Sequence, residues 1–242
     1  MWVGAHPDDE IPSSPLLADF CRRPGKKCTV VALTRGERGQ CKLAGGCHPD
    51  LVTVRTAEHE AMGQYLGATV FLGDLGDGTA GTKDGVLSAR AARAGSKEQL
   101  VRALQEQIER LRPDTLLTFD PRHGTTCHPD HRATGELALL AAQAAGLPKS
   151  ALLFVESAVA GVGGSTAPGF HQAVASDSRV QTISTAPAWA VPVHLMGMVY
   201  RSQYFASEVE AVRTIPQSGR TLSLIRASDV GLEVPGYAAL CP

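Results

Sequence analysis

The sequence predicts an α/β fold, with a mostly parallel sheet and helices on both of its faces. Short apolar segments alternate with longer amphipathic segments over the first two thirds of the chain. This alternation is typical of parallel strands joined by crossover helices. The apolar segments are rich in Val, Leu and Thr, as expected for strands that are buried on both faces. The arrangement is Rossmann-like, and we expect the C-terminal third to be irregular.

Each predicted element has its own signal. Apolar runs predict strands at 2–5, 29–33, 69–72, 115–119 and 152–157, and helices are predicted between them at 12–21, 51–66, 97–111 and 131–145. The helix at 97–111 has apolar residues at 100, 101, 104, 108 and 111, a period near 3.6, and Ser96 stands before it as a candidate N-cap. Beyond residue 158 we expect a loop at 160–178, one or two helices within 188–212 and a late strand at 221–225.

Composition excludes several classes of protein. The chain has 242 residues, of which 43% are hydrophobic and 19% charged, so it is globular rather than disordered. Its net charge of −1 argues against a broadly basic surface for nucleic acid, and no nucleic-acid partner is expected. No segment approaches the roughly 18 consecutive apolar residues that span a bilayer. The opening MWVGAHPDDE lacks the features of a signal peptide, and a strand at residue 2 is the start we expect of a chain whose leader has been removed.

The cysteines favour an oxidising compartment. Cys21 and Cys28 flank the turn RRPGKK, and Cys41 and Cys47 flank KLAGG. Closing such short loops is geometrically easy, and an even number of cysteines fits disulfide formation. We therefore expect these two pairs to be bonded and the protein to be extracytoplasmic. The alternative is six buried or idle thiols in a cytoplasmic protein.

Charged side chains cluster directly after the first strand, in the segment His6-Pro7-Asp8-Asp9-Glu10. In open parallel sheets, ligands bind beyond the carboxyl ends of the strands. Acidic residues at a helix N-terminus could simply complement the helix dipole. However, the adjacent carboxylates of Asp8 and Asp9 repel each other unless a cation neutralises them, which favours a metal site.

A second cluster, with three histidines and an aspartate, follows the strand at 115–119 in the segment HGTTCHPDH. His128 and His131 are three residues apart, so both can face one site if a helix begins near Pro129. A His/Asp/His set with an open position is typical of Zn²⁺, and two histidines with one carboxylate also suit Fe²⁺. A free carboxylate beside the metal can take a proton from water, and an imidazole held by a carboxylate can protonate the leaving group.

AHPDDE after a first strand and HPDH after a later one resemble the PIG-L/LmbE-like family of zinc-dependent N-acetylglucosaminyl deacetylases. Four further segments are similar to family segments: TRGERG at 34–39, VRTAEHEAM at 54–62, GDLGDG at 73–78 and RSQY at 201–204. The resemblance implies one deacetylase domain over residues 1–242. Its expected reaction is hydrolysis of the N-acetyl group of an N-acetylglucosamine-type sugar or glycoconjugate.

The resemblance also implies roles for individual residues. Three residues match the zinc ligands of the family: His6, Asp9 and His131. Three others match its catalytic residues: Asp8 as general base, His128 as general acid that also stabilises the oxyanion, and Asp130 as the residue that orients His128. Arg55 matches an arginine that contacts the sugar, and Asp77 is a candidate contact to sugar hydroxyls.

One position departs from the family pattern. Some members have an aromatic residue two positions before the first histidine of HPDH, where this chain has Thr126 followed by Cys127. His123 or a backbone N–H could take the place of a tyrosine hydroxyl at the oxyanion. Cys127 itself is a small loop residue, a disulfide partner of Cys241 or an extra metal ligand.

Two other functions are compatible with the same residues. The same amidohydrolase chemistry could act on another acylated amine, such as an amino-sugar conjugate, a thiol-precursor glycoside or a lipid-linked sugar. A non-catalytic, metal-containing carbohydrate-binding module could also keep the fold and the metal. A binding module, however, has no use for a base such as Asp8 beside the ligands.

Overall fold

The computed structural model describes residues 1–157 and 180–227. Its centre is a seven-stranded sheet with the strand order β3-β2-β1-β4-β5-β7-β6. The strands are β1 Trp2–Gly4, β2 Thr29–Ala32, β3 Thr69–Leu72, β4 Leu116–Phe119, β5 Leu152–Ser157, β6 Val180–Ser184 and β7 Thr221–Arg226. The helices are α1 Ser14–Cys21, α2 Leu51–Leu66, α3 Lys83–Ala94, α4 Lys97–Leu111, the single turn α5 Gly124–Cys127, α6 Pro129–Ala144, α7 Ala190–His194 and α8 Ala206–Arg213.

The first five strands form a parallel sheet. β1 pairs with β2 and β4, β2 with β3, and β4 with β5, all in parallel, whereas β7 is antiparallel to both β5 and β6. The predicted mostly parallel sheet is therefore confirmed. The strand order reverses between β1 and β4, and ligands of open α/β sheets bind at such a switch point. The two charged clusters follow these two strands, so they lie on either side of the crevice.

Helices cover both faces of the sheet, as predicted. Alternate residues of β1 face opposite sides: Trp2 packs in one core cluster with Leu17 of α1 and Met62 of α2. Val3 packs in the other cluster with Leu104 of α4 and Leu137 of α6. Burial on both faces explains the continuous apolar runs of β1, β2 and β4, whereas the edge strand β3 is exposed or half-buried along its length.

The helix ends follow their capping residues. Ser96 caps α4, since its side chain accepts a hydrogen bond from the N–H of Gln99 at 3.2 Å, and this prediction is confirmed. The helix predicted at 131–145 instead begins at Pro129, two residues earlier. Proline is favoured at the first helical position because its missing N–H would have no helical partner there. His128 is thereby the N-cap of α6.

The sequence prediction missed three elements, of which the single turn α5 is the shortest. The helix α3 was missed although Thr82 caps it by accepting from the N–H of Gly85, and it buries Val86 and Leu87. The strand β6 was also missed. In the C-terminal third, α7 continues into a π-helical segment at Leu195–Val199 before α8, as the expected irregularity suggests. The loop expected at 160–178 lies outside the described residues.

Both predicted local disulfides are present. Cys21 at the end of α1 is bonded to Cys28 just before β2, and Cys41 is bonded to Cys47. Cys127 is also disulfide-bonded, while Cys241 lies outside the described residues. These bonds are compatible with an extracytoplasmic location. Over residues 1–157 and 180–227, no helix is both long and apolar enough to cross a membrane.

The Cys41–Cys47 bond should contribute measurably to stability. Replacing both cysteines by alanine should lower the free energy of unfolding by about 2 kcal/mol, because a cross-link over a short loop restricts the unfolded chain. Urea denaturation of the oxidised proteins measures this difference, and peptide mapping without reduction should recover Cys41 and Cys47 as a linked pair. Recovery of both residues as free, alkylated thiols would contradict the assignment.

Candidate metal and catalytic site

Asp9 is fixed at the end of β1 by hydrogen bonds from the backbone. Its Oδ2 accepts from the N–H groups of Ala5 at 2.6 Å and His6 at 2.7 Å. The side chain of Asp9 packs against Gly4, where only a glycine leaves enough space: a Cβ at that position would lie 2.9 Å from the Cβ of Asp9. Asp8 adopts a φ of +102°, a conformation that residues other than glycine rarely take. The turn therefore places two adjacent carboxylates at the switch point.

The second oxygen of Asp9 faces two imidazoles. Its Oδ1 lies 3.1 Å from Nε2 of His131 and 3.6 Å from Nδ1 of His6. One potential ligand atom from each of these three residues lies within 4.8 Å of the others. Nδ1 of His131 is 3.0 Å from the carbonyl of Gly124, and such an outer contact orients an imidazole that binds metal through its other nitrogen. These donors fit a small divalent cation such as Zn²⁺ or Fe²⁺.

A second group of potential ligands comprises His6, His128 and Asp130. Asp130 is fully buried, and its Oδ1 accepts a hydrogen bond at 2.7 Å from Nη2 of Arg90, which is buried as well. A guanidinium beside a ligand oxygen repels a cation. The set of His6, Asp9 and His131 is therefore the better metal site.

His128 stands at the mouth of the site, with 45% of its side chain exposed. Its Nδ1 accepts from the backbone N–H of Asp130 at 3.3 Å and lies 3.8 Å from Oδ2 of the same residue. The latter distance exceeds that of a hydrogen bond, so Asp130 is close to His128 but is bonded to Arg90. Burial, with the nearby imidazoles of His131 and His6, lowers the pKa of His128 to about 4.

Asp77 approaches the cluster from the loop after β3. Its Oδ1 lies 2.9 Å from Nε2 of His6, and its Oδ2 accepts from the N–H of Arg38 at 3.0 Å. Burial alone would lower the pKa of His6, but the carboxylates of Asp9 and Asp77 outweigh it and raise that pKa to about 10. The surroundings of His6 thus stabilise positive charge.

Arg55 lies beneath the glycine-rich loop at 34–39. Its guanidinium is buried and donates to the carbonyl of Gly36 at 2.6 Å. A Cβ on Gly36 would come within 2.1 Å of that guanidinium and a Cβ on Gly39 within 2.2 Å. Only glycine at both positions lets the loop close over Arg55. Burial and the Asp9 carboxylate raise the pKa of Asp8 to about 6. The positive charge of Arg55, which Asp8 faces, opposes this rise.

Two contacts of the site were not foreseen from the sequence. The hydroxyl of Tyr204 donates to Oδ2 of Asp8 at 2.8 Å, and Arg90 pairs with Asp130. The segment RSQY resembles a family segment, but nothing in it indicates which residue its tyrosine contacts. Arg90 belongs to α3, whose Thr82 cap and apolar positions 86, 87, 91 and 94 were the available signal.

Comparison with known proteins identifies the family. The family model "PIG-L: GlcNAc-PI de-N-acetylase" matches residues 1–142. The chain belongs to the PIG-L family. A 1D-myo-inositol 2-acetamido-2-deoxy-alpha-D-glucopyranoside deacetylase of Nakamurella multipartita is 32% identical over 214 residues, which cover 79% of this chain and 72% of that protein. The protein of the same name in Mycobacterium tuberculosis is 34% identical over 144 residues, which cover 54% of this chain and 46% of that protein.

Solved structures share the fold at low sequence identity. GalB, a 4-carboxy-2-hydroxymuconate hydratase of Pseudomonas putida, has a TM-score of 0.64 at 18% identity, covering 96% of each chain. The N,N'-diacetylchitobiose deacetylase of Pyrococcus horikoshii has a TM-score of 0.64 at 15% identity, covering 97% of this chain and 86% of that one. A hydratase and a deacetylase have this fold in common, so the reaction has to be argued from the site.

The packing of Arg55 against the glycine-rich loop at 34–39 gives a testable prediction. Gly39→Ala should lower the free energy of unfolding by about 1–3 kcal/mol, because its new methyl group displaces the buried guanidinium. Gly45→Ala is the matched control, since a Cβ there meets nothing within 4 Å. Thermal or urea denaturation compares the two variants. Equal stability of both would show that the loop does not close over Arg55.

Proposed function

We propose that this chain is a zinc-dependent hydrolase that removes the acetyl group from an N-acetylglucosamine-type sugar or conjugate. The observation that carries the proposal is the convergence of His6, Asp9 and His131 beside Asp8, a carboxylate outside that ligand set. Membership of the PIG-L family supports the reaction, and the names of the relatives support the substrate class. We treat residues 1–242 as one domain with this activity.

His6, Asp9 and His131 would hold the metal through Nδ1, Oδ1 and Nε2. Their remaining polar atoms are engaged elsewhere: Oδ2 of Asp9 with backbone N–H groups, Nε2 of His6 beside Asp77, and Nδ1 of His131 beside Gly124. When bound, the cation supplies Lewis-acid polarisation of the acetamide carbonyl and of the attacking water. Zn²⁺ is the metal we favour for this donor set, with Fe²⁺ as the alternative.

Asp8 is the group that we assign to take the proton from the attacking water. Its Oδ2 is held by Tyr204 at 2.8 Å, and Asp9 occupies the metal-facing position next to it. The pKa of Asp8, raised to about 6, leaves it ionised at neutral pH yet basic enough to accept a proton. Its carboxylate therefore suits the role of general base.

His128 is the group that we assign to protonate the departing amine and to stabilise the oxyanion. It is exposed at the mouth of the site, and its ring centroid lies 5.2 Å from that of His6 and 4.8 Å from that of His131. Asp130 lies behind it, and its carboxylate is paired with the guanidinium of Arg90. Because its pKa is lowered to about 4, His128 is neutral at neutral pH and has to take up a proton before it donates one; the nearby carboxylate of Asp130 favours that protonated form.

Arg55 and Asp77 are the residues that we assign to the substrate side. The loop at 34–39 covers the guanidinium of Arg55, so its contact with a sugar would involve the edge that faces Asp8. Asp77 has a second candidate role, because it lies against Nε2 of His6 and can orient that imidazole.

The disulfides support an extracytoplasmic location for this chemistry.

The first test combines metal analysis with acetate release. The purified protein should contain about one equivalent of zinc or iron and should release acetate from N-acetylglucosamine, N,N'-diacetylchitobiose or the 1D-myo-inositol glycoside named for the relatives. Removal of the metal by a chelator should abolish release, and added Zn²⁺ should restore it. Bound metal without release from any of these sugars would favour a binding module or a larger conjugate, and absence of metal would contradict the ligand assignment.

The second test separates the base from the metal ligands. Asp8→Asn should lower kcat by about 10²–10⁴-fold, the usual contribution of a general base, while the metal content stays that of the parent protein. Asp84→Asn is the matched control, because Asp84 is an exposed residue in the first turn of α3. Metal analysis and initial rates check both variants, and retention of activity by Asp8→Asn would refute the assigned role.

A further inference from the structure

A hydroxyl group reaches the acidic cluster from the C-terminal third of the chain. Tyr204 lies 196 positions after Asp8, yet its hydroxyl donates to Oδ2 of that residue at 2.8 Å. A hydrogen bond to an ionised acceptor is about twice as strong as one between neutral groups. The contact therefore does more than fill space around the Tyr204 ring.

The backbone that carries Tyr204 is held from two sides. Glu58 of α2 accepts from the N–H of Ser202 at 2.7 Å and from its hydroxyl at 2.6 Å. On the other side, the carbonyl of Ser202 accepts from the N–H of Lys42 at 2.8 Å, next to the Cys41–Cys47 bond. Ser202 and Glu58 are both buried. These bonds hold the backbone two residues before Tyr204, and so they restrict where its ring can lie.

The Asp8 carboxylate needs such a support. Its backbone has a φ of +102°, and the neighbouring Asp9 carboxylate repels it. A residue in this region of φ/ψ space persists only where its surroundings hold it. Tyr204 engages Oδ2, which leaves Oδ1 as the oxygen that can accept a proton.

We propose that Tyr204 is a positioning residue of the hydrolysis, which fixes the Asp8 carboxylate for proton transfer through the hydrogen bond to Oδ2. The inference rests on the proposed function, since it assigns Tyr204 to the base of that reaction. It also assigns Glu58 an indirect part, because Glu58 holds the segment from which Tyr204 projects.

Kinetics of Tyr204→Phe test the role directly. The variant keeps the ring and loses the hydroxyl, so kcat should fall about 10- to 100-fold, as expected for loss of a hydrogen bond to a charged group. KM should change by less than about threefold, and the metal content should not change. Tyr65→Phe is the matched control, because the Tyr65 ring stacks on His194 at 4.2 Å and lies beneath the guanidinium of Arg22. An unchanged kcat, or a rise in KM alone, would overturn the inference.

Variants of Glu58 test the support of the tyrosine. Glu58→Ala removes both acceptors of Ser202 and should reduce kcat as Tyr204→Phe does. Glu58→Gln keeps one oxygen acceptor and should recover most of that loss. A kcat of Glu58→Ala equal to that of the parent protein would show that Tyr204 is held without Glu58 and would overturn its indirect part.

A double-mutant cycle tests the contact without any turnover. The losses of stability caused by Tyr204→Phe and Asp8→Ala should be less than additive in the double variant, since both remove the same hydrogen bond. Additive losses would overturn the inference while leaving the proposed function intact. Absence of acetate release by the parent protein would instead overturn the proposed function, and with it the part of Tyr204 in that reaction.

Discussion

The two oxygens of Asp9 have different partners, and the geometry of the site depends on that division. Oδ2 accepts from the N–H groups of Ala5 and His6, which closes the turn after β1. Oδ1 is consequently directed at His6 and His131. Asp8 has a positive φ in the same turn, and its carboxylate is directed toward Tyr204, away from the candidate ligand Asp9. One side chain thus sets the position of a ligand group and of the candidate base.

The sheet topology supplies the other half of the site. Because the strand order reverses between β1 and β4, the loops that follow them face each other across one crevice. His131 can therefore meet Asp9 although the two are far apart in sequence. Around this pair, the carboxylate of Asp77 contacts the imidazole of His6, and the carbonyl of Gly124 contacts that of His131; each contact orients its imidazole. Asp77 lies in the loop after β3, and Gly124 lies in the loop after β4. The site is therefore built by several loops at the carboxyl ends of the strands and not by any single motif.

Whether a feature of this structure can be predicted from the sequence depends on how far apart in the chain the interacting residues lie. Most strands and the start of α4 are local features, so the apolar runs and Ser96 identified them, whereas β6 and the Thr82 cap of α3 were missed. The convergence of the two His/Asp motifs followed from the rule for parallel strand ends. The contact between Tyr204 and Asp8 could not be predicted, since it joins residues 196 positions apart with no shared pattern. Asp77 was matched to sugar hydroxyls because a sequence does not distinguish a carboxylate that faces an imidazole from one that faces a ligand.

Helix α2 explains why an arginine and a glutamate stand three residues apart in the segment VRTAEHEAM. Residues at this spacing lie on one face of a helix. Arg55 on that face holds the loop at 34–39, and Glu58 holds the segment that carries Tyr204. A helix moves as a rigid unit, so these two parts of the site keep a constant distance as long as α2 stays in place. Its N-terminus is secured by Asp50, whose side chain accepts from both the N–H and the hydroxyl of Thr53. The arginine–glutamate spacing is therefore a structural requirement that links the N-terminal and C-terminal contributions to the site.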